Sequence, residues 1–245
     1  MSDLLPITKI PRTGLPGLAL VVGDPERATK VSQALDSPVL VGQNREYRSY
    51  TGNWRGTPVI VSSHGVGGPG ALPQFGELAE AGVQTFIRLG TAGSLRDGVA
   101  DGDVVIAEAA VRDDGVTQQL IHPEFPAFAT PESVLALTRA ASANEVRAHR
   151  GVVWTRAAFS PMVLKLPMDD YLRAGVIAIE MELATLFVFA TLRGLRAGGA
   201  LVIDGDARPE HPDPTAYDPH RQVVTDGVER ATRMALDALV DLGTS

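Results

Sequence analysis

Short β-rich apolar runs alternate with helical stretches along nearly the whole chain, and this alternation limits the possible folds more than any other feature. The runs are 18-LALVV-22, 38-PVLVG-42, 58-PVIVSS-63, 84-QTFIRL-89, 103-DVVIAEA-109, 151-GVVWT-155, 176-VIAI-179 and 199-GALVI-203. Several are continuously apolar, as strands covered on both faces must be. Helices are expected at about residues 25–35, 70–81, 131–145, 182–193 and 220–242. The last carries Val224, Val228, Ala231, Ala235, Leu239 and Leu242 as one helical stripe, while Gly82 and Gly194 stop two of the others. With 245 residues, 44 % of them hydrophobic, the chain can bury a sizeable core. The expectation is an α/β fold: a single domain over residues 1–245, with a mixed central β-sheet flanked by helices. The Pro- and Asp-rich stretch 205-GDARPEHPDPTAYDP-219 reads as a mobile surface loop.

One of these strands contains a charge. Arg88 lies inside 84-QTFIRL-89, where a guanidinium costs several kcal/mol unless an anion meets it. The net charge of −7 argues against a nucleic-acid backbone as that anion. The basic residues are 19 Arg and only 3 Lys, a bias that genome composition explains but that also fits local anion clamps. Cysteine is absent, which excludes disulfides, a thiolate nucleophile and a Cys-based metal site. The first residues, MSDLLPITKIPRTGLPG, lack a signal-peptide core, and no 18-residue apolar run implies a membrane span. A soluble, cytoplasmic protein without nucleic-acid or membrane partners is expected.

Ligands of open α/β sheets bind beyond the carboxyl ends of strands, so the residues following each run matter most. After 18-LALVV-22, Gly23 permits close backbone approach and Arg27 projects from the first helical turn of 23-GDPER-27. Helix N–H groups plus an arginine make an anion site, although the same turn occurs in many folds. After 58-PVIVSS-63, the segment 65-GVGGPG-70 fits the dinucleotide pattern, but the acid required about 20 residues on is missing, since that strand ends in Arg88-Leu89-Gly90. After the Arg88 strand, 90-GTAGSL-95 adds Thr91 and Ser94 hydroxyls and glycine N–H groups, a donor set sized for phosphate; the alternative is an Arg paired with a buried carboxylate. In 180-EMELATL-186, Glu180 and Glu182 point the same way on an extended backbone, as needed to accept from adjacent sugar hydroxyls. The alternative is a negatively charged first helical turn. Finally, 199-GALVI-203 ends in 204-DGDAR-208; an acid directly after an apolar strand suits proton donation, with Asp204 and Asp206 competing for the role.

The order GDPER, NRE, HGVGGPG, RLGTAG, EME and a late Asp resembles the hexameric nucleoside phosphorylases, the family of purine nucleoside and uridine phosphorylases. The match runs from about Leu18 to Asp204, and 121-IHPEFPA-127 and 180-EMELATL-186 are closest in motif to the malarial-type purine enzymes. The resemblance implies phosphate-dependent cleavage of the N-glycosidic bond of a nucleoside. By the same resemblance Gly23, Arg27, Arg88 and Thr91 bind phosphate, and Arg45 reaches the neighbouring subunit's phosphate. Met181 and Glu182 bind ribose, Glu180 and Phe159 lie at the base, and Asp204 protonates the leaving purine. Inorganic phosphate is then a co-substrate with no metal or organic cofactor, and the implied assembly is a homo-hexamer, a trimer of dimers.

Two departures from the family pattern bear on the substrate. Uridine phosphorylases carry a Gln-x-Arg pair shortly after the aromatic, and here Val163 and Lys165 occupy those places, which favours a purine. Many members have a His near residue 7 for the ribose 5′-hydroxyl, whereas this chain has 4-LLPITKI-10, which leaves a 5′-deoxy or 5′-methylthio nucleoside open. A uridine phosphorylase and a methylthioadenosine phosphorylase or nucleosidase are therefore the alternatives within the fold. A hydrolytic nucleosidase has no need of Arg27, Arg45 and Arg88; a non-catalytic nucleoside-binding module needs no proton donor; and a dehydrogenase rests on 65-GVGGPG-70 alone.

Overall fold

The computed structural model describes residues 3–160, 162–208, 218 and 220–244. In chain order, β1 (Leu18–Val22) and α1 (Pro25–Ser32) precede a meander of β2 (Asp36–Asn44), β3 (Tyr47–Trp54) and β4 (Thr57–Ser63). Then follow α2 (Gly68–Glu80), β5 (Thr85–Ser94), β6 (Val104–Asp113), a 3₁₀ turn (Thr117–Gln119), β7 (Ala127–Phe128) and α3 (Pro131–Ala143). The remaining elements are β8 (Ala148–Arg156), α4 (Met168–Arg173), β9 (Ala178–Glu180), α5 (Leu183–Arg193), β10 (Arg196–Asp206) and α6 (Gln222–Gly243).

All of the expected strands and helices form. The sheet is mixed, in the order β10-β6-β8-β9-β5-β1-β4-β3-β2. Because β10 also pairs with β5, the strands β5, β9, β8, β6 and β10 close on themselves, and β1, β4, β3 and β2 extend outward from β5. β1 runs parallel to both β4 and β5, and β5 runs parallel to β10, so the carboxyl ends of these four strands open at one rim. The burial of β1 on every residue reflects helices on both faces. The stripe on α6 is buried at Val224, Ala231, Ala235, Leu239 and Leu242, with Val228 packed at its edge. Gly194 ends α5 at φ 65, a left-handed cap that glycine adopts without steric penalty. No helix among the described residues is long and apolar enough to cross a membrane.

Four features depart from the sequence expectations. The glycine-rich stretch after Leu89 is not a turn: β5 continues to Ser94, with Gly90, Thr91 and Ala92 paired to Leu201, Val202 and Ile203. β10 likewise continues through Asp204 to Asp206, so the expected surface loop begins later; residues 209–217 and 219 lie outside the described residues. β3, whose sequence YRSYTGNW has no apolar run, forms because β2 and β4 pair with it on either side, tertiary pairing outweighing local pattern. The short α4 was also not expected; its Met168 helps cover Trp154 in a small second core with Leu95 and Val176.

Candidate active site

A cleft of about 1300 Å³ opens at the rim formed by these strand ends. Gly23, Arg27, Arg88, Thr91, Phe159, Glu180, Met181, Glu182 and Asp204 all line it, although they come from five separate segments of the chain. Arg45 does not. It occupies the β2–β3 hairpin at φ 52, exposed and outside the cleft of its own chain, while the adjacent Glu46 does line the cleft.

Each wall is set by its strand. After β1, Asp24 caps α1 and its carboxylate accepts from the Glu26 and Arg27 N–H groups at 3.0 and 3.3 Å. The helix N-terminus expected to offer N–H groups to a ligand is thus occupied by this chain's own acid, and the anion-binding capacity that remains there is the Arg27 side chain. After β4 the chain passes through His64 and turns, so that the Gly67 N–H donates to Glu182 Oε1 at 2.5 Å. Gly67 has φ 84, a conformation costly for any residue with a Cβ.

Arg88 projects from the middle of β5 and is almost fully buried. A Cβ on Gly90 would collide with its guanidinium, so this glycine makes room for the arginine rather than a turn. Arg88 Nη2 donates to Glu182, and Nη1 lies 3.5 Å from Glu180 Oε2. The alternative of an arginine facing buried carboxylates is therefore present in the geometry. It does not exhaust the guanidinium, since among the described residues the buried Nε and Nη1 have no hydrogen-bond partner. Thr91 lines the cleft beside them, whereas Ser94, expected with it, is buried and bonds Arg96 instead.

The two glutamates differ in environment. Glu180 ends β9, takes the Thr155 hydroxyl, and accepts from the N–H groups of Glu182 (2.8 Å) and Leu183 (3.0 Å). Its carboxylate thereby serves the first turn of α5, as the alternative reading of this segment had it. Burial, with the Glu182 charge beside it, pushes the Glu180 carboxyl above its ordinary value. Burial also works against the Glu182 charge, but the Arg88 guanidinium and the Gly67 N–H outweigh it and hold that carboxyl below the ordinary range. Arg88 and the Gly67 N–H thus make Glu182 the more acidic member of the pair, with Met181 next to it in the cleft lining.

On β10, the strand paired with β5, Asp204 and Asp206 separate clearly. Asp204 is 3 % exposed within the cleft. Asp206 is exposed and bonded to Arg208 at 3.0 and 2.6 Å. Phe159, 69 % exposed, stands at the mouth among Met162, Val163 and Lys165, which also line the cleft.

Sequence reasoning missed several contributors. Thr155 and Gly67 act only through the glutamates, and no local pattern marks them. Arg156 and Arg208 also reach the cleft wall. His64, which directly follows a strand, stood at a position where the search for strand-end residues had reason to stop. It is fully buried and its pKa falls to about 4, from burial first and then the positive charges of Arg88 and Arg27.

The family model described as the phosphorylase superfamily matches residues 18–241 of this chain. A purine nucleoside phosphorylase of Plasmodium falciparum is 36 % identical over 246 residues, covering 100 % of this chain and 99 % of that protein. A uridine phosphorylase of Thermococcus kodakarensis is 40 % identical over 191 residues, 73 % of this chain and 69 % of that protein. In three dimensions the chain is similar to the crystal structure of purine nucleoside phosphorylase from Toxoplasma gondii in complex with immucillin-H, with a TM-score of 0.93 and 30 % identity over 99 % of this chain and 97 % of that one.

Proposed function

The chain belongs to the phosphorylase superfamily, and from that premise we propose how its cleft cleaves a purine nucleoside with inorganic phosphate. The protein is a nucleoside phosphorylase, a pentosyltransferase. Phosphate attacks the anomeric carbon of the sugar as the N-glycosidic bond breaks, giving free base and ribose 1-phosphate. The electron pair of the broken bond leaves on the base, which takes up a proton.

The observation that carries this reading is the divided guanidinium of Arg88, bonded at Nη2 to Glu182 and, among the described residues, without a hydrogen-bond partner at Nε and Nη1. Phosphate binds the open side together with Arg27 and Thr91, beside Gly23. The Glu182 carboxylate, ionised by the same arginine, accepts from the ribose 2′- and 3′-hydroxyls, with Met181 against the sugar. Positive charge developing on the sugar is then flanked by the phosphate dianion and by Glu182. Asp204, buried in the cleft lining on β10, donates the proton to the purine, and Phe159 packs on the base with Glu180 behind it. Because the attacking group is already anionic and the leaving group is protonated by a side chain, the chemistry calls for no metal or organic cofactor.

The purine assignment rests on Asp204 and on Val163 and Lys165, which offer no planar donor–acceptor pair for the two carbonyls of uracil. Arg45, exposed outside its own cleft, completes the phosphate site of a neighbouring subunit in a homo-hexamer, a trimer of dimers. The setting is nucleoside salvage in the cytoplasm. A cleavage panel of inosine, guanosine, adenosine, uridine and methylthioadenosine, each with and without phosphate, tests the reading. Phosphate-dependent release from the purine ribosides supports it, and preference for uridine or for methylthioadenosine overturns the substrate assignment.

A further inference from the structure

His64 is buried completely, near Arg88, Arg27 and Glu182, and the hydrogen bond its ring makes is to the chain's own backbone at Gly65. Its backbone N–H donates to Val22 O at 2.9 Å, and the next residue, Gly65, donates to Gly23 O at 2.9 Å, so the β4 exit is laced to the β1 exit. The ring Nδ1 lies 2.8 Å from Gly65 O. A carbonyl only accepts, so Nδ1 carries the proton and donates. Nε2 has no hydrogen-bond partner. The ring packs edge-on against Phe75 with centroids 5.6 Å apart, and its Cε1 is 4.0 Å from where a Cβ on Gly23 would stand.

The bond to Gly65 O fixes a peptide that has unusual freedom. Gly65 has φ 76 and Gly67 has φ 84, with the exposed Val66 between them. Two glycines in left-handed conformations make a segment with little intrinsic preference for its native shape. Its position nevertheless decides the Glu182 carboxylate, because the Gly67 N–H is one of the two donors to it. We propose that His64 is a positioning residue for sugar recognition: its neutral Nδ1–H pins the Gly65 carbonyl, which aims the Gly67 N–H at Glu182. The inference rests on the sugar-binding assignment of Glu182 given above.

Two substitutions separate positioning from packing. His64→Asn puts an amide N–H close to the Nδ1 position, and His64→Gln puts its amide near Nε2; both remove the ring from Phe75. Amide hydrogen exchange at Gly67 and the ratio of kcat/KM for inosine over 2′-deoxyinosine are measured on wild type and both variants, with thermal melting as the control for packing. Comparable losses of thermal stability are expected in the two variants. His64→Asn is expected to keep Gly67 protected and to keep the ribose preference. His64→Gln is expected to lose at least tenfold in both, with the loss falling on KM for the ribonucleoside more than on kcat for the deoxynucleoside. Equal exchange and equal ratios in the two variants, whether both retained or both lost, overturn the proposal. The exchange measurement needs no turnover, so it decides the role of His64 even where failure of phosphate-dependent cleavage would remove the functional reading.

Discussion

Arg88 donates to Glu182 from Nη2, while among the described residues its buried Nε and Nη1 have no hydrogen-bond partner and Nη1 lies 3.5 Å from Glu180 Oε2. The charge that favours ionisation of the carboxylate proposed to bind the sugar is thereby the charge proposed to receive phosphate. On that proposal, binding of the two substrates is linked through one side chain.

Arg88→Ala is expected to fail on two counts. It removes a preorganised donor, worth roughly 10²–10³ in kcat. It also leaves Glu180 and Glu182 buried together without a counter-charge, a loss of roughly 3–5 kcal/mol in stability. Arg88→Lys restores the charge but not the fork, so denaturant unfolding recovers in part while the kinetic defect persists.

Asp204→Asn is expected to lower kcat on inosine by roughly 10²–10⁴. 7-Methylguanosine, whose base already carries positive charge and leaves without protonation, should be cleaved by the variant at close to the wild-type rate. An equal loss on both substrates would assign Asp204 to something other than proton donation. Asp206→Asn, which alters the exposed pairing with Arg208, is expected to keep most of the activity on both.

Mixed oligomers test Arg45. Arg45→Ala and Asp204→Asn are each expected to be nearly inactive when pure. Refolded or co-expressed together they should regain activity, because one site of a mixed dimer then has both its own Asp204 and its neighbour's Arg45. If Arg45 served its own chain, mixing would restore nothing.

Acid stability should report His64. Its folded pKa of about 4 lies below the ordinary value of 6.5, so between these values the unfolded chain binds the proton that the folded chain refuses. Stability therefore falls as pH is lowered through this window, by a total on the order of 3 kcal/mol for the full shift. The groups facing the imidazole are Arg88 and Arg27, which oppose its protonation, and Glu182, which favours it. Urea midpoints taken from pH 7 to pH 4.5 should slope less steeply in His64→Gln than in wild type.

Much of this architecture was legible in the sequence because buried strands write continuous apolar runs and helices write stripes. The strand ends told where to look, and nine of the expected side chains meet in one cleft. What stayed hidden depends on contacts between distant segments. β3 is polar and exists only through its partners on both sides. Gly90 looked like a turn residue, but its glycine is required by the guanidinium two residues earlier on the same strand. The N–H groups after Gly23 looked available to a ligand, and Asp24, one residue on, takes them. The role of Gly67 cannot be read locally at all, since its partner lies 115 residues away.

The central claim is that phosphate, not water, attacks the sugar at the site built around Arg88. Cleavage of inosine in ¹⁸O-labelled water with phosphate present measures this directly, by the mass and identity of the sugar product. The account predicts ribose 1-phosphate without solvent label, formed one for one with hypoxanthine, and negligible release when phosphate is withheld. Free ribose labelled at its anomeric oxygen, formed at the same rate with and without phosphate, would contradict it.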